Sequence, residues 1–354
     1  MIGHGSGGKT TVWADLGPSE TQSLVGLVLK RAPDAWSATS ESWTHAHVVS
    51  LSQSFSKDGF RVNIPFQAGL LYPDDSEYPK YLPNLPSGKS VWADILPRLP
   101  PGVQTPCWAL QNERIMPIPY LARRMLLEKF WHGGHPREIN SILDRRQNDH
   151  CLIRPLLGSR RPNPPGGARD YRPANVISLR DYALRVDQME ALDLPTAEYA
   201  CAMAEMLAFL VWVARIDAGG VKFVLARQRS LASSHSHSQT RALGSCPLAM
   251  WVLDFGRCQH LNFYDEEGRE ETVKLVAETV LGRNQNDSSS SFSFYPKPHS
   301  RVPEDERLWR VFKDRFLQAS YVALFHAEEE IMKQLPGRVV ARIEGRIRDQ
   351  QHRG

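Results

Sequence analysis

Three charged side chains and one run of glycines carry the chemistry this sequence offers. Lys30 ends the apolar run "LVLK", Asp254 opens "DFG" after "LAMWVL", and Asp217 follows a long apolar stretch and precedes "VKFVLA". One ammonium and two carboxylates can handle a polyphosphate. The ammonium neutralises phosphate oxygens, one carboxylate holds Mg²⁺ across them, and the other orients an acceptor hydroxyl. Near the start lies "GHGSGGKT", in which Gly3, Gly5 and Gly8 would let main-chain N–H groups approach phosphate oxygens that a Cβ would hold off.

The glycine stretch fits two patterns, G-x-x-x-x-G-K-[ST] and G-x-G-x-x-G. The first, a phosphate loop, must follow a buried strand and open a long helix. Only Met1 and Ile2 precede Gly3, and Gly17-Pro18 prevents a long helix after Thr10. A phosphate-loop NTPase with "MWVLD" as its metal-binding strand therefore needs a parallel strand beside residues 3–10. The second pattern is a glycine flap between antiparallel strands, as in kinases. It suits the β-rich "TTVWA" that follows, and it too requires a strand ahead of Gly3. A glycine-rich terminus with no ligand is the third alternative.

Order and spacing favour the kinase arrangement. Lys30 has the setting of V-A-I-K and follows Gly8 by 22 residues, a hairpin distance. Asp217 and Asp254 are 37 residues apart, and removing the 20-residue polar insert 227–246 leaves 17, close to the kinase interval. Asp217 and Asp254 are thus the catalytic candidates, with Asp254 also the metal ligand. Gly3, Gly5, Gly8, Lys30, Glu113 and Ile115 are the nucleotide-binding candidates, the last two because "NERIMPIP" stands where a hinge would meet adenine. Glu41 is a guessed acid for Lys30. Two departures point to degeneracy: Arg215 replaces the histidine of H-R-D, and Lys222 replaces the metal-binding Asn five residues past Asp217. Taken singly, Asp217 is equally a loop acid capping nearby N–H groups, and Asp254 a turn acid at a strand end.

The elements that must position these residues are partly legible. Strands are expected at "TTVWA", "SLVGLVLK", "CLIRPLL", "IDAGGVKFVLA" and "LAMWVLDFG", with extended pieces across 60–120. Apolar spacing predicts helices over "LARRMLLEKFW", from Pro195 to Arg215, over 269–281, and from Glu304 to Leu335, the last with acids in its first turn. The domain reading is a β-rich region 1–120, a helical region 121–335 carrying the insert 227–246, and a basic tail 336–354.

Composition sets the limits. The chain has 354 residues, 42% apolar and 23% charged, with a net charge of +4, as in globular rather than disordered proteins. Five cysteines without repeated spacing suggest reduced thiols and an intracellular, cytoplasmic or nuclear protein. The N-terminus lacks a secretory layout, and the longest apolar run, "MLAFLVWVA", is too short to span a bilayer, so no membrane partner is expected. The close histidine pairs, His45/His47, His132/His135 and His235/His237, lack nearby cysteines, so no zinc site is expected. The arginine-rich loop 160–173 and tail 337–354 are candidate surfaces for a protein partner; nucleic acid is not expected.

The segments "NERIMPIP", "VISLRDYALRVDQMEALDLP", "AMAEMLAFLVWVARIDAGGVKFVLA" and "AMWVLDFGRC" resemble an uncharacterised fungal family. That family is a domain of unknown function, and some members are labelled zinc finger protein. The resemblance is strong over about 111–320 and loose before it. It implies a kinase-like fold and no established activity. The expectation is therefore an α+β protein, protein-kinase-like and two-lobed, with a small β-rich N-lobe and a mainly helical C-lobe. Its expected function is that of a degenerate kinase-like protein binding ATP and Mg²⁺. The alternatives are an active phosphotransferase using Asp217 and Asp254, and a non-catalytic scaffold acting through the basic loop and tail.

Overall fold

In the computed structural model, Leu27–Arg31 forms a strand, β3, because its side chains alternate between two apolar surfaces. Leu27 and Leu29 point to one face and Lys30 to the other. The structure describes residues 3–4, 11–14, 26–55, 60–74, 88–99, 104–131, 136–161, 177–229, 242–244, 246–282, 293–298, 300–327 and 329–351. These residues are mixed α and β, and they divide into two compact units. The first unit comprises residues 1–50, 64–115 and 254–256; the second holds the remainder.

The first unit is an antiparallel sheet in the order β1-β2-β3-β6-β5, with β1 Gly3–His4, β2 Thr11–Ala14, β5 Gln67–Leu71 and β6 Ala109–Glu113. Lys30 pairs across with Val12 on one side and Leu110 on the other, which fixes the face its side chain shares. The opposite face, Leu29, Leu71, Cys107 and Ala109, is closed by Trp92 and Ile95 of α2, Gly88–Ile95. The lysine-bearing face packs through Leu70, Tyr72, Trp108 and Leu110 on Ala38 of α1, Ala35–Phe55. Asp34 starts that helix by accepting the Ser37 N–H at 2.7 Å. The register of β1, Gly3 with Val12 and His4 with Thr11, is antiparallel, and β2 is antiparallel to β3. Among the described residues no parallel strand lies beside Gly3–His4, and "MWVLD" runs in a different sheet, so the parallel strand that the phosphate-loop NTPase reading requires is absent from the described residues. Gly5 and Gly8 lie outside the described residues.

The second unit is built on a sheet ordered β10-β11-β9-β7-β8, with β4 joined to β11. Its strands are β4 Val62–Asn63, β7 Ile153–Leu156, β8 Tyr182–Arg185, β9 Lys222–Arg227, β10 Ala242–Leu243 and β11 Cys246–Leu253. β9 and β11 pair over six positions, from Leu248 with Arg227 to Leu253 with Lys222. Both ends of the polar insert are therefore strand, and residues 230–241 and 245 lie outside the described residues. The helices are α3 Tyr120–Phe130, α4 Pro136–Leu143, α5 Val186–Ala191, α6 Thr196–Ala208 continuing as a π-turn to Val213, α7 Glu266–Leu281, α8 Pro303–Ala323 and α9 Glu330–Gln351. Trp212 of the π-turn packs between Phe263 and Phe316, and its Nε1 donates to Ser320 Oγ at 2.7 Å. Among the described residues, one window, Thr196–Val213, is long and apolar enough to cross a membrane; 67% of it is buried.

Two sequence expectations change here. The helix expected over 304–335 is two helices, and residues 336–351, read as a tail, belong to α9. Leu335, Val339, Val340 and Ile343 form a buried stripe, and Arg338 pairs with Glu266 and Glu270 of α7. Helical periodicity there is hidden by the surrounding arginines. At the start of the basic loop, Arg160 is held by Glu190 and Asp305 and Arg161 by Asp187, so these two charges serve the fold; residues 162–176 lie outside the described residues.

Candidate functional site

Lys30, Glu41 and Asp254 meet inside the first unit. The Lys30 ammonium donates to Glu41 Oε1 at 2.5 Å and to Asp254 Oδ1 at 2.6 Å, and the three side chains are 16%, 11% and 16% exposed. The register of β3 aims Lys30 at α1, and the helix carries Glu41 on its buried stripe of Ala38, Glu41, His45 and Val48. Asp254 comes in from the chain that follows β11, with a left-handed φ of 73°. Asp tolerates that region better than most residues, and such strain is held where surrounding contacts over-determine the backbone. Burial disfavours the Lys30 ammonium, but Glu41 and Asp254 outweigh it and hold the group above the usual lysine range.

Gly256 completes the seat. A Cβ on it would lie 2.6 Å from Glu41 Oε2, whose carboxylate is fixed by Lys30 and cannot retreat cheaply. The glycine of "DFG" is thus required by the ion cluster beside it. Phe255, 1% exposed, stacks obliquely on His45 with ring centroids 5.1 Å apart. Nε2 of His45 lies 2.7 Å from the Pro65 carbonyl, so the neutral ring carries its proton there.

Burial, with the Lys30 charge adding to it, pushes His45 down to about 4 against the partial support of the Pro65 carbonyl. The unfolded chain takes up this proton near pH 6.5 and the folded chain refuses it until about 4. Stability is therefore complete above the unfolded value and falls as the pH drops from 6.5 toward 4, by about 3 kcal/mol. In urea titrations at pH 7 and 4.5, His45→Gln is expected to flatten most of this loss. An unchanged pH dependence in that variant would refute the assignment.

The hinge candidates are less open than expected. Glu113 is buried, its N–H donates to the Phe66 carbonyl at 2.9 Å and its carboxylate accepts the Phe66 N–H at 3.0 Å. Its side chain clamps β6 to the chain before β5. The Arg114 N–H donates to Gly26, and Ile115, the last residue of that stretch in the first unit, is half-buried.

Asp217 belongs to the second unit. It is 5% exposed, its Oδ1 accepts the Gln259 N–H at 2.6 Å, and its own N–H donates to the Gln259 carbonyl at 2.9 Å. Ile216 bridges to His260, and the Leu261 N–H donates to Arg215, which has a left-handed φ of 54°. Burial raises the Asp217 carboxyl above its ordinary range, and the Gln259 N–H opposes that shift. Lys222 starts β9 opposite Leu253. Sequence reasoning missed Gly256 and Gln259, and weighed His45 only as one of a close histidine pair for zinc. The one available signal was that His45 follows Glu41 by one helical turn.

Zinc does not fit the described residues. No group of three or more His, Cys, Asp or Glu side chains is placed to hold a metal ion. Burial pushes the Cys107, Cys151, Cys201 and Cys246 thiols up, away from the thiolate a zinc ligand needs. His132, His135, His235 and His237 lie outside the described residues.

No curated protein and no solved structure matches the chain. Residues 250–328, under a quarter of its length, match the model of a domain-of-unknown-function family, DUF3669, described as zinc finger protein. That segment runs from within β11 through "DFG", α7 and α8 to five residues beyond α8.

Proposed function

We propose that this chain is a degenerate kinase-like protein that binds a Mg²⁺-bound nucleoside triphosphate, ATP being the expected one. The observation that carries this reading is the Lys30 ammonium bridging Glu41 and Asp254. A lysine on the third strand, an acid on the following helix and the aspartate of "DFG" are the parts that kinases use to grip phosphates and metal. The cluster has two carboxylates to one ammonium, leaving negative charge for a divalent cation. Asp254 is a hard oxygen ligand of the kind Mg²⁺ takes, singly or in pairs, alongside phosphate oxygens. Mg²⁺ held there would neutralise charge between the phosphates.

Degeneracy is supported by Arg215 and Lys222 at positions where kinases orient the base and bind metal, and by Asp217, whose carboxylate already serves as a staple to Gln259. One observation favours active phosphoryl transfer instead: burial raises Asp217, as suits a proton acceptor. Calorimetric titration with Mg-ATP tests the proposal. Saturable binding at millimolar concentration or below is expected, and its absence in folded protein would overturn it. Radiolabelled γ-phosphate transfer abolished by Asp217→Asn would replace degeneracy with catalysis.

A further inference from the structure

Asn112 of β6 and Gln67 of β5 pair across the strands, on the sheet surface that carries Lys30. Lys30 pairs with Leu110, and the next row on that surface is Val28, Asn112 and Gln67, about 7 Å along the strands. A bulge makes this row. Leu70 pairs with Leu110 and Gly69 with Gln111, so regular pairing would set Ala68 against Asn112; the register shifts there, and Gln67 takes that place. Bulges re-aim side chains in this way and are frequent beside functional sites. Both carboxamides then leave an oxygen unmatched. Gln67 Oε1 and Asn112 Oδ1 are buried and, among the described residues, have no hydrogen-bond partner, whereas Gln67 Nε2 donates to Ser42 Oγ of α1 at 2.5 Å. Side chains opposed in an antiparallel pair have Cβ atoms about 5 Å apart, so two acceptors sit together without a donor. Buried acceptors left without a donor are costly and call for an explanation. Val28, Gln67 and Asn112 are each partly exposed as residues, so the row reaches solvent. The last torsion of a carboxamide is soft, and an unpaired oxygen gives up no hydrogen bond when it turns toward a ligand.

We propose that Asn112, backed by Gln67, determines which base the nucleotide carries, its oxygen accepting the exocyclic amine of adenine. The inference rests on the nucleotide reading above and assigns its base-recognition residue. With the phosphates at Lys30, the nucleoside lies along the neighbouring row of the same surface. Two acceptor oxygens there attract an amine and repel the carbonyl oxygen that hypoxanthine and guanine carry at the same ring position. Glu113, the next residue along β6, has its carboxylate committed to the Phe66 N–H, whereas the Asn112 oxygen is uncommitted among the described residues.

The test is calorimetric titration of the full chain with Mg-ATP and with magnesium inosine triphosphate, which carries a carbonyl where adenine carries its amine. Mg-ATP is expected to bind at least about tenfold more tightly. Asn112→Leu keeps the branched shape without the oxygen, and is expected to bring the two affinities within about twofold, chiefly by weakening Mg-ATP. That variant should melt no earlier than the parent protein, because an unmatched acceptor has been removed. Asn112→Asp keeps an acceptor and should keep the preference. Equal affinities in the parent protein overturn this inference and leave nucleotide binding standing, whereas no binding of either triphosphate overturns both. A preference for Mg-ATP that survives in Asn112→Leu places base recognition elsewhere and overturns it as well.

Discussion

Replacing Lys30 with methionine is expected to weaken Mg-ATP binding about a hundredfold, the loss of one charge-assisted contact in a shielded setting. Methionine keeps the length and apolar stem of the side chain, so β3 and its packing on α1 should survive. What disappears is the ammonium that Glu41 and Asp254 hold at 2.5 and 2.6 Å. The measurement is the thermal midpoint with and without several millimolar Mg-ATP. The parent protein should be stabilised by nucleotide and the variant should not; without nucleotide the variant's midpoint should itself be lower, because Glu41 and Asp254 lose their shared cation. Equal nucleotide stabilisation in both proteins would remove Lys30 from the site.

The second large effect concerns stability. Taking both carboxylates away, as Glu41→Ala with Asp254→Ala, leaves an ammonium only 16% exposed with neither of its anionic partners. Breaking a buried pair so that one charge is stranded costs about 3–5 kcal/mol. Each single substitution should cost clearly less, because the remaining carboxylate still holds Lys30. Adding Lys30→Met to the double variant should recover much of the loss by deleting the stranded charge. Urea unfolding of this series measures it. Additive single effects with no recovery would mean that the three side chains do not act as one cluster.

How much of this was legible in the sequence differs by residue. "LVLK" announces a strand with a lysine at its end, and "AMWVLDFG" a strand with an acid after it, because apolar alternation and a following turn are local signals. The long helix after Pro195 was equally plain: it is apolar nearly all round and is buried nearly all round. α1 was not recognised. Its buried stripe carries Glu41, Thr44 and His45, while Trp36 and Trp43 are exposed. A helix that hides polar residues and shows aromatic ones reverses the pattern by which amphipathic helices are found. That reversal exists because the buried side faces an ion cluster rather than only an apolar core, and the ion cluster obscured the structural signal.

Long-range features were beyond sequence in another way. Nothing local tells that the Gln259 main chain staples Asp217 42 positions away, or that Gly256 is small because Glu41 lies where its Cβ would go. The stretch 336–351 looked like a tail because charge dominates its composition. Its apolar positions become meaningful only against α7, whose Glu266 and Glu270 also neutralise Arg338. The hinge candidate Glu113 was chosen by position in a motif, and the structure commits its carboxylate to the Phe66 N–H.

The central claim is that the Lys30 cluster receives phosphate. The most direct measurement is a pair of calorimetric titrations on the full chain, one with Mg-ATP and one with adenosine. Saturable Mg-ATP binding, with adenosine at least about tenfold weaker, is the predicted result, a difference of about 1.4 kcal/mol or more. Equal affinities, or no heat from either ligand in folded protein, would contradict it.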